Sequence, residues 1–183
     1  MSRTLERPVL LQERLRNHSV LAGLTSGGLC TMRLLTYRPP GSAVQLLLGV
    51  YRMPVGNAAA DNFSQGGLAA PIDLATGRLG KAATRSGKLI EAVERHPNTG
   101  AVIEGHQIPF WNEAVRLVTR AHEAASRMVV VGWDVAVLED GVVLVEGNRE
   151  PSSRISQAAS GVPLGETPLV ACLNAHLRES VAP

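Results

Sequence analysis

The sequence is poor in aromatic residues, with two each of Trp, Tyr and Phe, and no run of Lys and Arg stands beside them. Nucleic-acid binding shows as a basic face interleaved with stacking rings, so that class of partner is disfavoured. Charge of one sign is lacking as well, the formal net charge being only +2. Cysteine is scarce: Cys30 and Cys172 lie far apart, in no CxxC or Cys/His spacing. That excludes a zinc knuckle and a disulfide framework, reads both as small buried hydrophobes, and fits a reducing cytoplasm. No stretch approaches the ~20 apolar residues of a membrane-spanning helix, and the charged start has no signal-peptide-like hydrophobic region behind it. A soluble cytoplasmic protein with no membrane partner is expected.

What remains is 183 residues, 45% of them hydrophobic, enough to build the core of one domain. There is no internal repeat, and helical and strand patterns are interspersed, which predicts an α+β fold. Strands are expected at residues 9–15, at 29–37 after Gly27-Gly28, and at 44–50, the last two forming a hairpin across Pro39-Pro40-Gly41. Residues 69–79, with Pro71, Asp73 and Gly77, read as strand, turn and return strand, and residues 81–105 as a polar stretch with a turn at Pro97-Asn98-Thr99-Gly100. Ala114, Val115, Val118, Ala121 and Ala125 recur at helical spacing, predicting a helix over residues 110–127. Residues 128–138 and 142–145 are β-branched runs joined at Asp140-Gly141, a tight-turn dipeptide. A Pro/Ser/Gly-rich loop follows Asn148, and Thr167 as N-cap with Pro168 behind it opens a closing helix to about Glu179.

The last hairpin carries the chemistry. Glu146 and Asn148 are two residues apart on one strand and so share a face, while a turn at Asp140-Gly141 brings Asp134 close to opposite Glu146. Two carboxylates at ~5 Å repel unless a cation lies between them. Carboxylate and carboxamide oxygens are the hard donors that Mg²⁺ takes. On spacing alone the acids read equally as solvated edge residues, but Trp133, Val135, Val137, Val143 and Val145 mark the strands as core, where acidic groups need partners. His96, His106 and His122 stand at no catalytic spacing and read as structural or surface residues.

Gly132-Trp-Asp-Val-Ala-Val137, Asp140-Gly141 and Val145-Glu-Gly-Asn-Arg-Glu-Pro151 resemble the last metal-binding motif of the ATP-grasp superfamily. With the stretch from Pro97-Asn-Thr-Gly100 through Gln107-Ile-Pro-Phe-Trp111 they resemble its sugar-transfer-associated branch, often labelled alpha-L-glutamate ligase-related, over residues 9 to about 151. The resemblance implies an antiparallel sheet with flanking helices, the carboxy-terminal subdomain of that fold. It implies that Asp134, Glu146 and Asn148 hold Mg²⁺ bridging the phosphates of ATP, and that Gln12 and Glu13 meet the adenine from a strand edge. Arg33 would face the nucleotide or acyl phosphate as the catalytic cation, its plain alternative being an outward-facing Arg. Asn62, Gly66 and Gly67, in Asp61-Asn-Phe-Ser-Gln-Gly-Gly67, resemble a phosphate or substrate loop of related carboxylate ligases, although a Gly-Gly after polar residues is by itself an ordinary turn.

The implied activity is ATP- and Mg²⁺-dependent phosphorylation of a small-molecule carboxylate, with a nucleophile such as an amine attacking the acyl phosphate. Relatives carry the lysines for the α- and β-phosphates ahead of the adenine linker. Here residues 1–8 alone precede that segment, and Lys81 and Lys88 follow it. The expectation is therefore an incomplete clamp, that of a truncated product, a fragment or one half of a split enzyme, finished by a partner, a second copy of the chain or an upstream portion. Competing expectations are a non-catalytic nucleotide- or metal-binding remnant acting as an interaction module, and a plain α+β scaffold.

Overall fold

The computed structural model describes residues 12–56, 66–86 and 89–181. Seven strands form one sheet: β1 Thr31–Tyr37, β2 Gln45–Met53, β3 Leu68–Pro71, β4 Ala82–Ser86, β5 Leu89–Val93, β6 Val130–Leu138 and β7 Gly141–Asn148. Their order is β5-β4-β3-β2-β1-β6-β7, and every neighbouring pair is antiparallel. Helix α1 spans Trp111–Ala124, α2 Ser153–Ser160 and α3 Pro168–Val181. The fold is α+β, an antiparallel sheet with flanking helices.

The two faces of the sheet divide its labour, because side chains alternate along each strand. On one face Met32, Leu34, Tyr51, Met53, Trp133 and Val135 pack with Trp111, Ala114 and Val118 of α1 and with Leu21 and Leu24 of the 3-10 turn Ser19–Leu24. A polar network is buried there. Trp133 Nε1 donates to Thr36 Oγ1 at 2.8 Å, and Thr36 Oγ1 lies 2.7 Å from His122 Nδ1. His122 Nε2 reaches the Met128 carbonyl at 3.0 Å. On the other face Leu35, Tyr37 and Leu47 lie under Leu169 and Cys172 of α3, and Val50 and Ala69 under Ile155 of α2. Arg33 and Asp134 belong to this second face.

Several expectations change. Residues 12–15 of the first expected strand form no strand; residues 9–11 lie outside the described residues. β1 already has a strand on each side, and Glu13 and Arg14 stay exposed. The polar stretch 81–105 contains the β4–β5 hairpin, anchored by Ala82 and Ala83, while β5 is largely exposed. The Pro/Ser/Gly-rich loop contains α2, whose Ile155, Ala158 and Ala159 form a short apolar stripe against the sheet. The last hairpin turns at Glu139-Asp140, since Leu138 pairs with Gly141. Ser19 holds that turn by donating its N–H (2.8 Å) and hydroxyl (2.6 Å) to the Glu139 carboxylate. Those bonds keep the Glu139 carboxyl below its usual pKa.

Candidate functional site

Asp134 sits in mid-β6 with Arg33 opposite it on β1 and Glu146 opposite it on β7. Three charged side chains thus run across three adjacent strands on one face, with neighbouring Cβ atoms ~5 Å apart. A β-bulge makes this possible. From Leu138↔Gly141 the ladder runs regularly to Val135↔Leu144. Two more regular steps would set Asp134 against Val145 and then Trp133 against Glu146, turning Glu146 into the α1 side of the sheet. Instead the register shifts between Asp134 and Val135, Val145 is the extra residue, and Glu146 arrives opposite Asp134. Asn148 pairs with Gly132, two positions on, and shares the face.

Two glycines let the surroundings close in. A Cβ on Gly147 would lie 2.7 Å from Cζ3 of Trp133, so the residue between Glu146 and Asn148 has no side chain because the indole covers it. A Cβ on Gly132 would lie 2.5 Å from Cβ of Pro151 and 3.4 Å from Cδ of Arg33. The chain just beyond the hairpin therefore folds back against Gly132, and the Arg33 stem lies beside the same glycine.

Asp134 is 6% exposed and Arg33 8%, and burial at this depth requires that the charges be paired. Arg33 donates Nε to Oδ1 of Asp134 at 2.5 Å and Nη2 to Oδ2 at 3.1 Å. Arg52 of β2 brings Nη2 within 2.9 Å of the same Oδ2. Arg52 in turn donates Nε and Nη2 to Thr31 Oγ1, at 3.1 and 2.5 Å. Glu146 is exposed and Asn148 half-buried. The Nδ2 of Asn148 is buried without a hydrogen-bond partner among the described residues, so its nitrogen does not fix the amide.

As a donor set, two carboxylates and a carboxamide on one strand face fit a hard divalent cation such as Mg²⁺. Among the described residues no three His, Cys, Asp or Glu side chains cluster as metal ligands; a cation here relies on Asn148 as the third donor. Gly66, at φ +89°, and buried Gly67 lead into β3, and Thr84 Oγ1 donates to the Gly67 carbonyl at 3.2 Å. Because Leu68 pairs with Met53, these glycines lie beside the end of β2 that bears Arg52. Asn62 lies outside the described residues. Gln12 and Glu13 are exposed in irregular chain. Sequence reasoning missed Arg52. Its signal was a lone cation near the end of the largely apolar run of β2, where a half-buried charge needs a partner.

The family model described as sugar-transfer associated ATP-grasp matches residues 2–168. The chain belongs to the sugar-transfer associated ATP-grasp family. For an ATP-grasp domain the general class is an ATP-binding, ligase-type one, and the antiparallel sheet with its flanking helices is consistent with it. No curated protein and no solved structure matches the chain. No helix among the described residues is long and apolar enough to cross a membrane.

Proposed function

We propose that this ATP-grasp chain binds ATP as its magnesium complex on the face bearing Asp134, Glu146 and Asn148, and serves a carboxylate ligase that works through an acyl phosphate. The observation that supports this most is the bulged register, which sets Glu146 opposite Asp134 and keeps Asn148 on the same face. In this reading those three side chains hold the metal. Bound there, a metal would supply charge neutralisation for phosphoryl transfer from ATP to a carboxylate. Arg33 spends two N–H groups on Asp134 and turns its remaining donors to the transferring phosphoryl group or the acyl phosphate. Gly66, Gly67 and Asn62 approach the phosphates or the substrate, and Gln12 and Glu13 meet the adenine. The acid is a small molecule, and an amine attacks the activated acyl group, as in the alpha-L-glutamate ligase-related branch.

The α- and β-phosphates need further cations. Lys81 opens the β4 segment, and β4 lies four strand positions from β6, roughly 19 Å across the sheet. We therefore propose that those donors come from a second copy of the chain, from a partner or from a portion upstream of these residues. A non-catalytic nucleotide-binding role is favoured by one observation, that both oxygens of Asp134 already accept guanidinium N–H groups. Equilibrium binding of ATP with and without Mg²⁺, followed by ADP release in the presence of small carboxylic acids, separates the readings. Mg²⁺-dependent binding with acid-dependent ADP release supports the ligase. Binding without ADP release supports the non-catalytic role. ATP binding that ignores Mg²⁺ overturns the ligase reading and leaves the non-catalytic one, and absence of ATP binding overturns both.

A further inference from the structure

We propose that Arg52 is a positioning residue for the carboxylate of Asp134, and that with Arg33 it restricts the site to divalent cations that arrive on a polyphosphate. This rests on the metal reading above and adds an order to it.

A carboxylate offers about four lone-pair positions. At Asp134, Oδ2 accepts from Nη2 of Arg33 and Nη2 of Arg52, and Oδ1 accepts from Nε of Arg33. About one position is left, on Oδ1, so a cation gains a single bond from this residue unless a guanidinium yields. Neither guanidinium swings away cheaply. Arg52 is tied to Thr31 Oγ1 through Nε and Nη2, and the Arg33 stem lies close beside Gly132. A bare dication therefore enters beside buried Arg33 and half-buried Arg52, where solvent screens repulsion less than at an open surface. A triphosphate reverses the sign: its charges attract the same guanidiniums that repel the metal alone. The arginines thus orient the metal-binding carboxylate and make metal and nucleotide affinities depend on each other.

Mn²⁺ titrations of the full chain, read by the electron paramagnetic resonance signal of free Mn²⁺, test this with and without a non-hydrolysable ATP analogue. Wild type is expected to bind Mn²⁺ at least ~100-fold more tightly with the analogue than without it. Arg52→Gln is expected to bind Mn²⁺ alone about tenfold more tightly and the Mn²⁺–analogue complex about tenfold more weakly, each about 1.4 kcal/mol. Arg52→Lys, which keeps the charge, should restore the wild-type order of affinities. A purely structural role moves both affinities of Arg52→Gln in the same direction, and that result overturns the proposal. Wild type binding Mn²⁺ equally well without nucleotide also overturns it while sparing the metal reading, and needs no variant. Absence of Mn²⁺ binding under both conditions removes the metal reading itself.

Discussion

Adding one methyl group at Gly147 tests how the hairpin presents its acids. The new Cβ would stand 2.7 Å from Cζ3, 3.2 Å from Cε3 and 3.6 Å from Cη2 of Trp133. The indole has little freedom to retreat, because its Nε1 donates to Thr36 Oγ1 at 2.8 Å and its ring packs beside His122 with centroids 6.4 Å apart. Either β7 lifts from β6 or the ring turns and loses that bond. Overpacking costs about 1–3 kcal/mol and a lost buried hydrogen bond about 1 kcal/mol. Restricting the unfolded chain returns about 0.4–1 kcal/mol. The net expectation is a loss of about 2–3 kcal/mol, seen as a lower urea midpoint by tryptophan fluorescence. Trp133→Leu removes the obstructing ring, so in a double-mutant cycle the two changes should cost about 1–2 kcal/mol less together than the sum of each alone. A Gly147→Ala protein within about 0.5 kcal/mol of wild type, or strict additivity with Trp133→Leu, would refute the argument. Since Glu146 and Asn148 flank this residue, nucleotide affinity should fall along with stability.

Two further expectations follow from buried groups. Burial lowers the pKa of His122, whose Nδ1 faces the Thr36 hydroxyl and whose Nε2 faces the Met128 carbonyl. The folded state therefore binds its proton less readily than the unfolded chain; the stabilisation is complete above a histidine's usual pKa of ~6.5 and is lost as pH falls below it. Urea midpoints at pH 7.5 and 5.5 should show this loss in wild type and a smaller one in His122→Gln; equal slopes would exclude the residue. Asp134→Asn leaves buried Arg33 and half-buried Arg52 facing a neutral amide and should lower stability by about 3–5 kcal/mol besides weakening nucleotide binding. A melting curve like that of wild type would show that the ion pairs contribute little.

Periodicity made the frame legible. The apolar positions Ala114 and Val118 marked α1, and the runs at 29–37, 44–50 and 128–145 marked the central strands. What escaped depends on tertiary partners. Strand β5 is held by pairing with β4 more than by burial of its own side chains, and α2 is only eight residues long, with a stripe of Ile155, Ala158 and Ala159 too short to stand out. At the site, the facing of Asp134 and Glu146 was expected from a turn at Asp140-Gly141. The chain reaches it from a turn one residue earlier, corrected by the bulge at Val145. No local signal encodes that correction. Arg52 went unnoticed because its role exists only where β2, β1 and β6 lie side by side.

Glu146 gives the cleanest test of the central claim, because it is exposed and its substitution need not disturb the fold. Calorimetric titration of ATP into wild type should show affinity at least ~10-fold higher with Mg²⁺ than with EDTA. Glu146→Gln should lose most of that Mg²⁺-dependent gain at an unchanged melting temperature. Wild-type affinity indifferent to Mg²⁺, or a Glu146→Gln protein that binds Mg²⁺–ATP as wild type does, would contradict the assignment of this strand face as the metal–nucleotide site.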